Sequence, residues 1–365
     1  MKPKVSVVIP FYNAKEYIKS CVDSLLSQTL EETEIIIVDD CSTDGSLEYC
    51  RDLFKDNSKV RILTQPQNMG PGEARNTGIR EACGDYIAFV DSDDQMRKEG
   101  LQKMYEAAVK TGADVVHVAG ILIPTADELP DNLSELPSEG ITPISFDFHD
   151  REDHVVVLQN SLDERFAKWQ QHTYHWSVWN KLFRREFLLS NDIFFSELKL
   201  AEDMQFCFQC LFLAGTYTVI PGAWYFWRVV TGSTSRTKKL TSLIIKSLTA
   251  ELKVGVTTRK ILGKIPYFAS NEDASNIAIF RIMSSLELAF IRPSFNKLGR
   301  QVVQSDREII EFFEREYGDK KDTAFYQFLE METYATKGVD YGDVFNGKDQ
   351  WEQFRYEYGW DGVTD

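Results

Sequence analysis

The chain has 365 residues, enough for about two domains or one large one. Hydrophobic residues make up 43% and charged residues 27%, a globular composition that excludes disordered and collagen-like chains. The 56 acidic residues outnumber the 41 basic ones, and the formal charge of -15 argues against general binding to nucleic acid or to anionic membranes. A small basic pocket for one phosphorylated ligand stays compatible with that charge.

The sequence shows no segment typical of a secretory signal and no apolar run of the roughly 20 residues that a membrane helix needs. We therefore expect a cytoplasmic protein with at most peripheral association at the inner face of the membrane. Six scattered cysteines are typical of reduced thiols. Cys207 and Cys210 have C-x-x-C spacing, but no second ligand pair lies nearby, which favours core packing over zinc.

Strand-like and helix-like patterns alternate through the first 125 residues. Asn13 is predicted to cap the first helix, with Glu16 at the capping-box position. Near-continuous apolar strands separated by helices predict an α/β fold with helices on both faces of a mostly parallel sheet. The predicted strands cover residues 5–11, 34–38, 60–63, 86–90 and 113–123, and later helices cover 71–83 and 98–111.

Ligands of such sheets bind beyond the carboxyl ends of the strands, so residues 10–13, 39–40 and 91–94 are predicted to share one rim. The motif Asp-Ser-Asp-Asp at 91–94 can offer carboxylates to Mg2+ or Mn2+ and to a ribose. Taken alone, the motif is better explained as an acidic turn that caps a helix. Asp40 can accept a hydrogen bond from a uracil N3–H, which we favour there over helix capping.

Two further segments have residue types suited to a phosphorylated substrate. Residues 68–76 place two glycines at a helix start, where backbone can approach an anion, and Arg75 one turn later can reach a diphosphate. This segment is neither a P-loop nor a dinucleotide-binding fingerprint. The pair Glu202-Asp203 directly precedes an apolar helical stretch. It can supply a general base, although interaction with the helix N-terminus is the better explanation when the pair is taken alone.

The remainder of the chain differs in composition. Residues 124–154 hold four prolines and nine carboxylates and are predicted to form a surface excursion, and residues 155–235 are rich in aromatic side chains. Helical patterns dominate from residue 240, where self-association or acceptor docking is a candidate role. The predicted domains are residues 1–238, with halves 1–123 and 124–238, and a helical C-terminal region, 239–365.

Taken together and in order, these segments resemble the family 2 glycosyltransferases. The resemblance covers roughly the first 235 residues and is carried by residues 5–13, 38–45, 68–70, 74–78, 91–94 and 202–203. It implies a GT-A fold and an inverting transferase. The donor would be a nucleotide-diphosphate sugar, most often a UDP-sugar. The acceptor would be a glycan or a lipid-linked glycan, and the expected setting is bacterial surface polysaccharide synthesis.

The resemblance also implies roles for individual residues. Asp203 is expected to be the general base, with Glu202 next in line, and Asp93 with Asp91 is expected to bind Mn2+ or Mg2+. No clear third metal ligand is found, although His172 and His175 stay open. The expected donor-binding residues are Pro10, Tyr12, Asn13, Asp40, Asn68, Arg75, Asp91, Ser92, Asp93, Arg228 and Arg236.

Two other functions compete with this interpretation. A metal-dependent nucleotidyltransferase that makes sugar nucleotides would also place carboxylates at a sheet rim. The chain lacks the glycine-rich, basic triphosphate loop that such an enzyme needs after its first strand. A non-catalytic scaffold of a polysaccharide assembly complex would keep the fold without turnover. The presence of both Asp93 and Asp203 argues against that role.

Overall fold

The computed structural model describes residues 2–125, 130–145, 155–158, 161–170, 174, 176–198, 202–228, 254, 257–286, 311 and 315. The chain divides into two compact units, residues 1–233 and 234–365. The predicted domains with a boundary at residue 238 stay a prediction. None of the helices in the described part of the chain has the length and apolar character that crossing a membrane requires.

Ten strands and seven helices lie in the described part of the first unit. The strands are β1 Val5–Phe11, β2 Thr33–Asp39, β3 Val60–Thr64, β4 Tyr86–Phe89, β5 Gln95–Met96, β6 Val115–Pro124, β7 Ile141–Ser145, β8 Val156–Leu158, β9 Lys181–Arg184 and β10 Tyr217–Phe226. The helices are α1 Ile18–Leu26, α2 Ser46–Phe54, α3 Pro71–Glu81, α4 Gly100–Thr111, α5 Leu162–Gln170, α6 Arg185–Ser190 and α7 Glu202–Leu213. Described helices of the second unit include α8 Pro266–Ala269 and α9 Glu272–Leu286.

All ten strands join one sheet. Its main order is β3-β2-β1-β4-β9-β6-β10-β5, while β7 pairs with β6 and β8 pairs with β10. The pairs β3–β2, β2–β1, β1–β4 and β6–β10 are parallel, whereas β9 is antiparallel to both of its neighbours. The predicted α/β fold is confirmed: the strands β3, β2, β1 and β4 are parallel, and the antiparallel pairs β10–β5, β10–β8 and β6–β7 make the sheet mixed.

The hydrophobic core is built around strands whose two faces are both apolar. Every residue of β1 is buried, as is every residue of β2 except Glu34, because both strands lie inside the sheet. Helix α1 packs through Ile18, Cys21, Val22 and Leu25, whose spacing places them on one face. Cys207 and Cys210 of α7 are buried free thiols, which confirms core packing.

The parallel strands bring their carboxyl ends to one edge. Phe11 of β1 is in register with Asp39 of β2, and Val8 of β1 is in register with Phe89 of β4. The residues that follow these strands therefore share a rim, as the sequence predicts. This rim includes Tyr12, Asp40 and Asp91.

The expected Asn13 cap is wrong. Helix α1 begins at Ile18 without a side-chain cap, and Asn13 has a φ of 52°. The Asn13 Oδ1 accepts a hydrogen bond from Thr43 N at 2.8 Å, so the side chain links two loops of the rim instead of capping a helix. The acidic segment 124–154 is mostly exposed in its described part, in agreement with a surface excursion, but it is also tied to the sheet. Its described part contains β7, which pairs with β6, and Leu133 is buried in a small apolar cluster.

Gly78, the last residue of the segment 74–78, lies where a side chain would collide with β1. A Cβ built at Gly78 would lie 2.7 Å from Val8 Cγ2 and closer still to Cγ1, because α3 packs directly on β1 there. We expect Gly78→Ala to lower the free energy of unfolding by about 1–3 kcal/mol through overpacking. Urea denaturation measures this loss.

Gly263→Ala is the matched control for Gly78→Ala. Its new methyl group would find only ordinary contacts, at 3.6 and 3.7 Å, with two backbone oxygens. Equal unfolding midpoints for the two variants would contradict the close packing of α3 on β1.

Candidate active site

Arg75 is the centre of the site. It lies one turn into α3 and is 4% exposed. Its Nη2 donates to Asp91 Oδ1 at 2.8 Å, and its Nη1 donates to Asp203 Oδ1 at 2.8 Å and to Glu202 Oε1 at 3.5 Å. One guanidinium therefore joins the carboxyl end of β4 to the first turn of α7, across 128 residues of sequence between Arg75 and Asp203.

The guanidinium is held in its charged form. Burial lowers the pKa of Arg75, but the charges of Asp203, Asp91 and Glu202 outweigh it and leave the pKa above its usual value. The Phe195 ring lies against the Arg75 guanidinium, whose carbon is 5.3 Å from the ring centroid. A permanent positive charge at this point fixes the positions of the three carboxylates.

Asp203 combines a general-base side chain with an unusual environment. The pKa of Asp203 is raised to about 7: burial and the charges of Glu202 and Asp91 raise it, and together they outweigh the charge of Arg75, which lowers it. Its side chain is still 26% exposed, so a substrate hydroxyl can approach it. A carboxylate with a pKa near neutrality is well matched to proton abstraction from a hydroxyl.

Asp93 is the carboxylate that best fits a divalent cation. Burial and the charge of Asp91 raise the pKa of Asp93 to about 6. No ion pair to Asp93 is found within the described residues, whereas Asp91 is paired with Arg75. A hard cation would neutralise this carboxylate and take its remaining ligands from phosphate oxygens. The described part of the chain contains no group of three or more metal-ligating side chains, and His172 and His175 lie outside it.

Asp40 and Asn68 form a second cluster at the rim. The two carboxylate oxygens of Asp40 accept from Met69 N at 2.7 Å and from Gly70 N at 2.8 Å. The Asn68 Nδ2 donates to the Asp40 carbonyl at 3.2 Å. Asp40 is buried, and it holds the loop that leads into α3. The sequence did not indicate this structural role of Asp40. The expected contact between Asp40 and a nucleobase stays a prediction.

The remaining residues predicted to bind the donor differ in exposure and in location. Pro10 is buried in β1, while Tyr12 is 48% exposed directly after it. Asn13 donates from its backbone N to Ser42 Oγ at 3.0 Å. Ser92 is half-buried in the turn after β4, and Arg236 lies outside the described residues.

Arg228 lies against the turn that contains Asp93. Its Nε donates to the Asp93 carbonyl at 3.1 Å, and its backbone N donates to Asp94 Oδ1 at 2.7 Å. Burial and the charges of Asp93 and Asp91 raise the pKa of Asp94 well above its usual value. Asp94 and its second partner, Tyr225, are residues that the sequence reasoning did not assign to the site. A third acidic residue in the motif, directly before the buried strand β5, was the available signal.

Lys181 is a further charge near Asp203 that sequence reasoning did not single out. It is 1% exposed at the start of β9, and its Nζ donates to Ser177 O at 2.6 Å and to Asn180 Oδ1 at 2.9 Å. Burial lowers the pKa of Lys181, and the charge of Asp203 opposes that shift. Lys181 thus places a buried amine near the candidate base Asp203.

The sequence model of "Glycosyl transferase family 2" matches residues 6–190, half of the chain. The "Uncharacterized glycosyltransferase EpsJ" of Bacillus subtilis is 33% identical over 56% of this chain and 55% of its own length. A "Poly(ribitol-phosphate) beta-glucosyltransferase" of Bacillus spizizenii is 43% identical over 31% of this chain and 18% of its own length. The chain spans about half the length of the first curated relatives that it matches.

A solved structure shares the fold. S. aureus TarS 1–349, crystallised in complex with UDP-GlcNAc, superposes with a TM-score of 0.62 over 97% of this chain and 92% of its own, at 21% identity. Its likeness shows the architecture, and the sequence model shows the family. The chain belongs to glycosyl transferase family 2 and has a GT-A fold.

Proposed function

We propose that the chain transfers a sugar, with inversion, from a UDP-sugar to a hydroxyl group of a glycan or lipid-linked glycan. The observation that carries this proposal is the Arg75 cluster, in which one buried guanidinium holds Asp91 of the strand-end motif and Asp203 of α7. This cluster holds a carboxylate expected on the donor side and a candidate base against the same guanidinium. The UDP-GlcNAc named for TarS and the polymer named for the B. spizizenii relative support the substrate classes.

The donor half of the reaction needs charge neutralisation at the diphosphate. Asp93, with Asp91 beside it, would hold Mn2+ or Mg2+. When bound, such a cation supplies Lewis-acid neutralisation of the leaving diphosphate. Arg228, fixed against the Asp93 carbonyl, would add charge-assisted hydrogen bonds to the same phosphates.

The acceptor half of the reaction belongs to Asp203. Its carboxylate would take the proton of the acceptor hydroxyl as the oxygen attacks the anomeric carbon, an effect that is typically about a hundred- to ten-thousand-fold in rate. The bond from that carbon to the UDP oxygen breaks as the new glycosidic bond forms. Attack on the face opposite UDP inverts the anomeric centre, so no covalent sugar–enzyme intermediate is needed.

Arg75 takes a different role from the one that the resemblance implies. Both of its terminal nitrogens donate to carboxylates, so neither is open to the diphosphate without breaking an ion pair. We therefore assign Arg75 to holding the base Asp203 in register with the donor-side Asp91. The buried Nε makes no hydrogen bond within the described residues.

The proposed base gives the first test. Asp203→Asn keeps the size of the side chain but cannot accept the acceptor's proton, so we expect UDP release coupled to transfer to fall at least about a hundredfold. UDP affinity should stay within about threefold, because Asp203 acts on the acceptor. Product formation at saturating donor and acceptor, beside calorimetry with UDP, measures both.

Glu202→Gln is the matched control for Asp203→Asn, because the neighbouring carboxylate contacts the same guanidinium at the longer distance of 3.5 Å. It should lose less activity. Full turnover in Asp203→Asn would refute the assignment, and loss of UDP binding there would place Asp203 in the donor site.

The proposed metal ligand gives the second test. Asp93→Asn removes the carboxylate charge and should abolish the Mn2+-dependent part of UDP binding while the melting temperature stays near that of the wild type. Calorimetry with UDP, with and without Mn2+, measures the effect. An unchanged Mn2+-dependent affinity would show that the cation is held elsewhere.

A further inference from the structure

Hydrogen bonds tie the turn Asp91–Asp94 to the carboxyl end of β10. Asp94 is 2% exposed, and its Oδ2 accepts from Tyr225 Oη at 2.6 Å while its Oδ1 accepts from Arg228 N at 2.7 Å. Tyr225 Oη in turn accepts from Asp91 N at 3.1 Å. One buried carboxylate and one hydroxyl thus join the turn to the backbone of Arg228.

The Tyr225 side chain has little freedom to move. It is 2% exposed, and its ring stacks on Trp179 with centroids 4.6 Å apart and planes within 15°. The Tyr225 backbone pairs with Met96 of β5, the strand that directly follows the turn. The hydroxyl is therefore held where it meets Asp91 N and Asp94 together.

Arg228 is fixed from two further directions. Its Nε donates to the Asp93 carbonyl at 3.1 Å, and its guanidinium carbon lies 5.4 Å from the centroid of the Tyr17 ring. These contacts hold the guanidinium close to the strand-end turn. The hydrogen bond from Arg228 N to Asp94 fixes the position of the Arg228 backbone.

We propose that Asp94 and Tyr225 are positioning residues that fix Arg228 beside Asp93, where its guanidinium meets the donor's diphosphate. This inference rests on the proposed function, because it takes a nucleoside diphosphate as the ligand of Arg228. Both residues are buried, so they act through Arg228 and not by contact with the donor. Loss of the Tyr225 hydroxyl would remove a donor from Asp94 and the acceptor of Asp91 N, and the turn and Arg228 would no longer share one anchor.

The test compares Tyr225→Phe with Tyr86→Phe by calorimetry of UDP binding in Mn2+. Tyr86 is a matched control, because it is a buried tyrosine of the same sheet whose hydroxyl donates to Ala113 O at 3.3 Å, at the amino end of β4. We expect Tyr225→Phe to weaken UDP binding up to about tenfold and Tyr86→Phe to leave it unchanged. UMP, which lacks the β-phosphate, should lose less affinity than UDP.

A double-mutant cycle separates positioning from general damage. Arg228→Met should weaken UDP binding, and Tyr225→Phe added to it should weaken binding no further. Asp94→Asn is a second variant with the same expected loss, should Tyr225→Phe fold poorly. Unchanged UDP affinity in Tyr225→Phe, or additive losses in the double variant, would overturn the inference. Absence of UDP binding by the wild-type protein would instead overturn the proposed donor, and this inference with it.

Discussion

The buried guanidinium of Arg75 is the interaction on which the site depends. Three partly exposed carboxylates, Asp91, Glu202 and Asp203, lie against the permanent positive charge of one buried guanidinium. Without that charge the three carboxylates would repel one another. With it, a strand end and a helix start from distant parts of the chain are held together. The fold brings these two elements close, and the ion pairs fix their distance.

The Arg75 ion pairs also distinguish the environments of Asp203 and Asp93. Asp203 keeps a pKa near 7 because burial and its acidic neighbours outweigh the attraction of Arg75, and this suits a base. Asp93, outside the Arg75 cluster, carries a charge that no ion pair within the described residues neutralises. In the proposed reaction, proton transfer and phosphate binding therefore belong to different carboxylates at the rim of one sheet. Arg228 belongs to the phosphate side because it is anchored on the turn that contains Asp93.

Local sequence patterns predicted much of the fold because its strands are buried on both faces and its helices have one apolar face. The predicted strand at 5–11 and helix at 71–83 correspond to Val5–Phe11 and Pro71–Glu81. The contacts that make the site are long-range, and no local pattern contains them. The Asn13 capping pattern was wrong because Thr43, 30 residues away, competed for the same side chain. Tyr225 could not be distinguished among 15 tyrosines until the sheet placed its hydroxyl beside Asp94.

The role of Arg75 is measured most directly with Arg75→Lys, which keeps the charge but cannot span two carboxylates as a planar guanidinium does. Turnover at saturating donor and acceptor, UDP affinity and a melting curve should be recorded on the same preparation. If Arg75 holds the base, turnover should fall about a hundredfold while UDP affinity changes less than about threefold. A large loss of UDP affinity with normal turnover at saturation would place Arg75 on the diphosphate and contradict its role as the holder of Asp203.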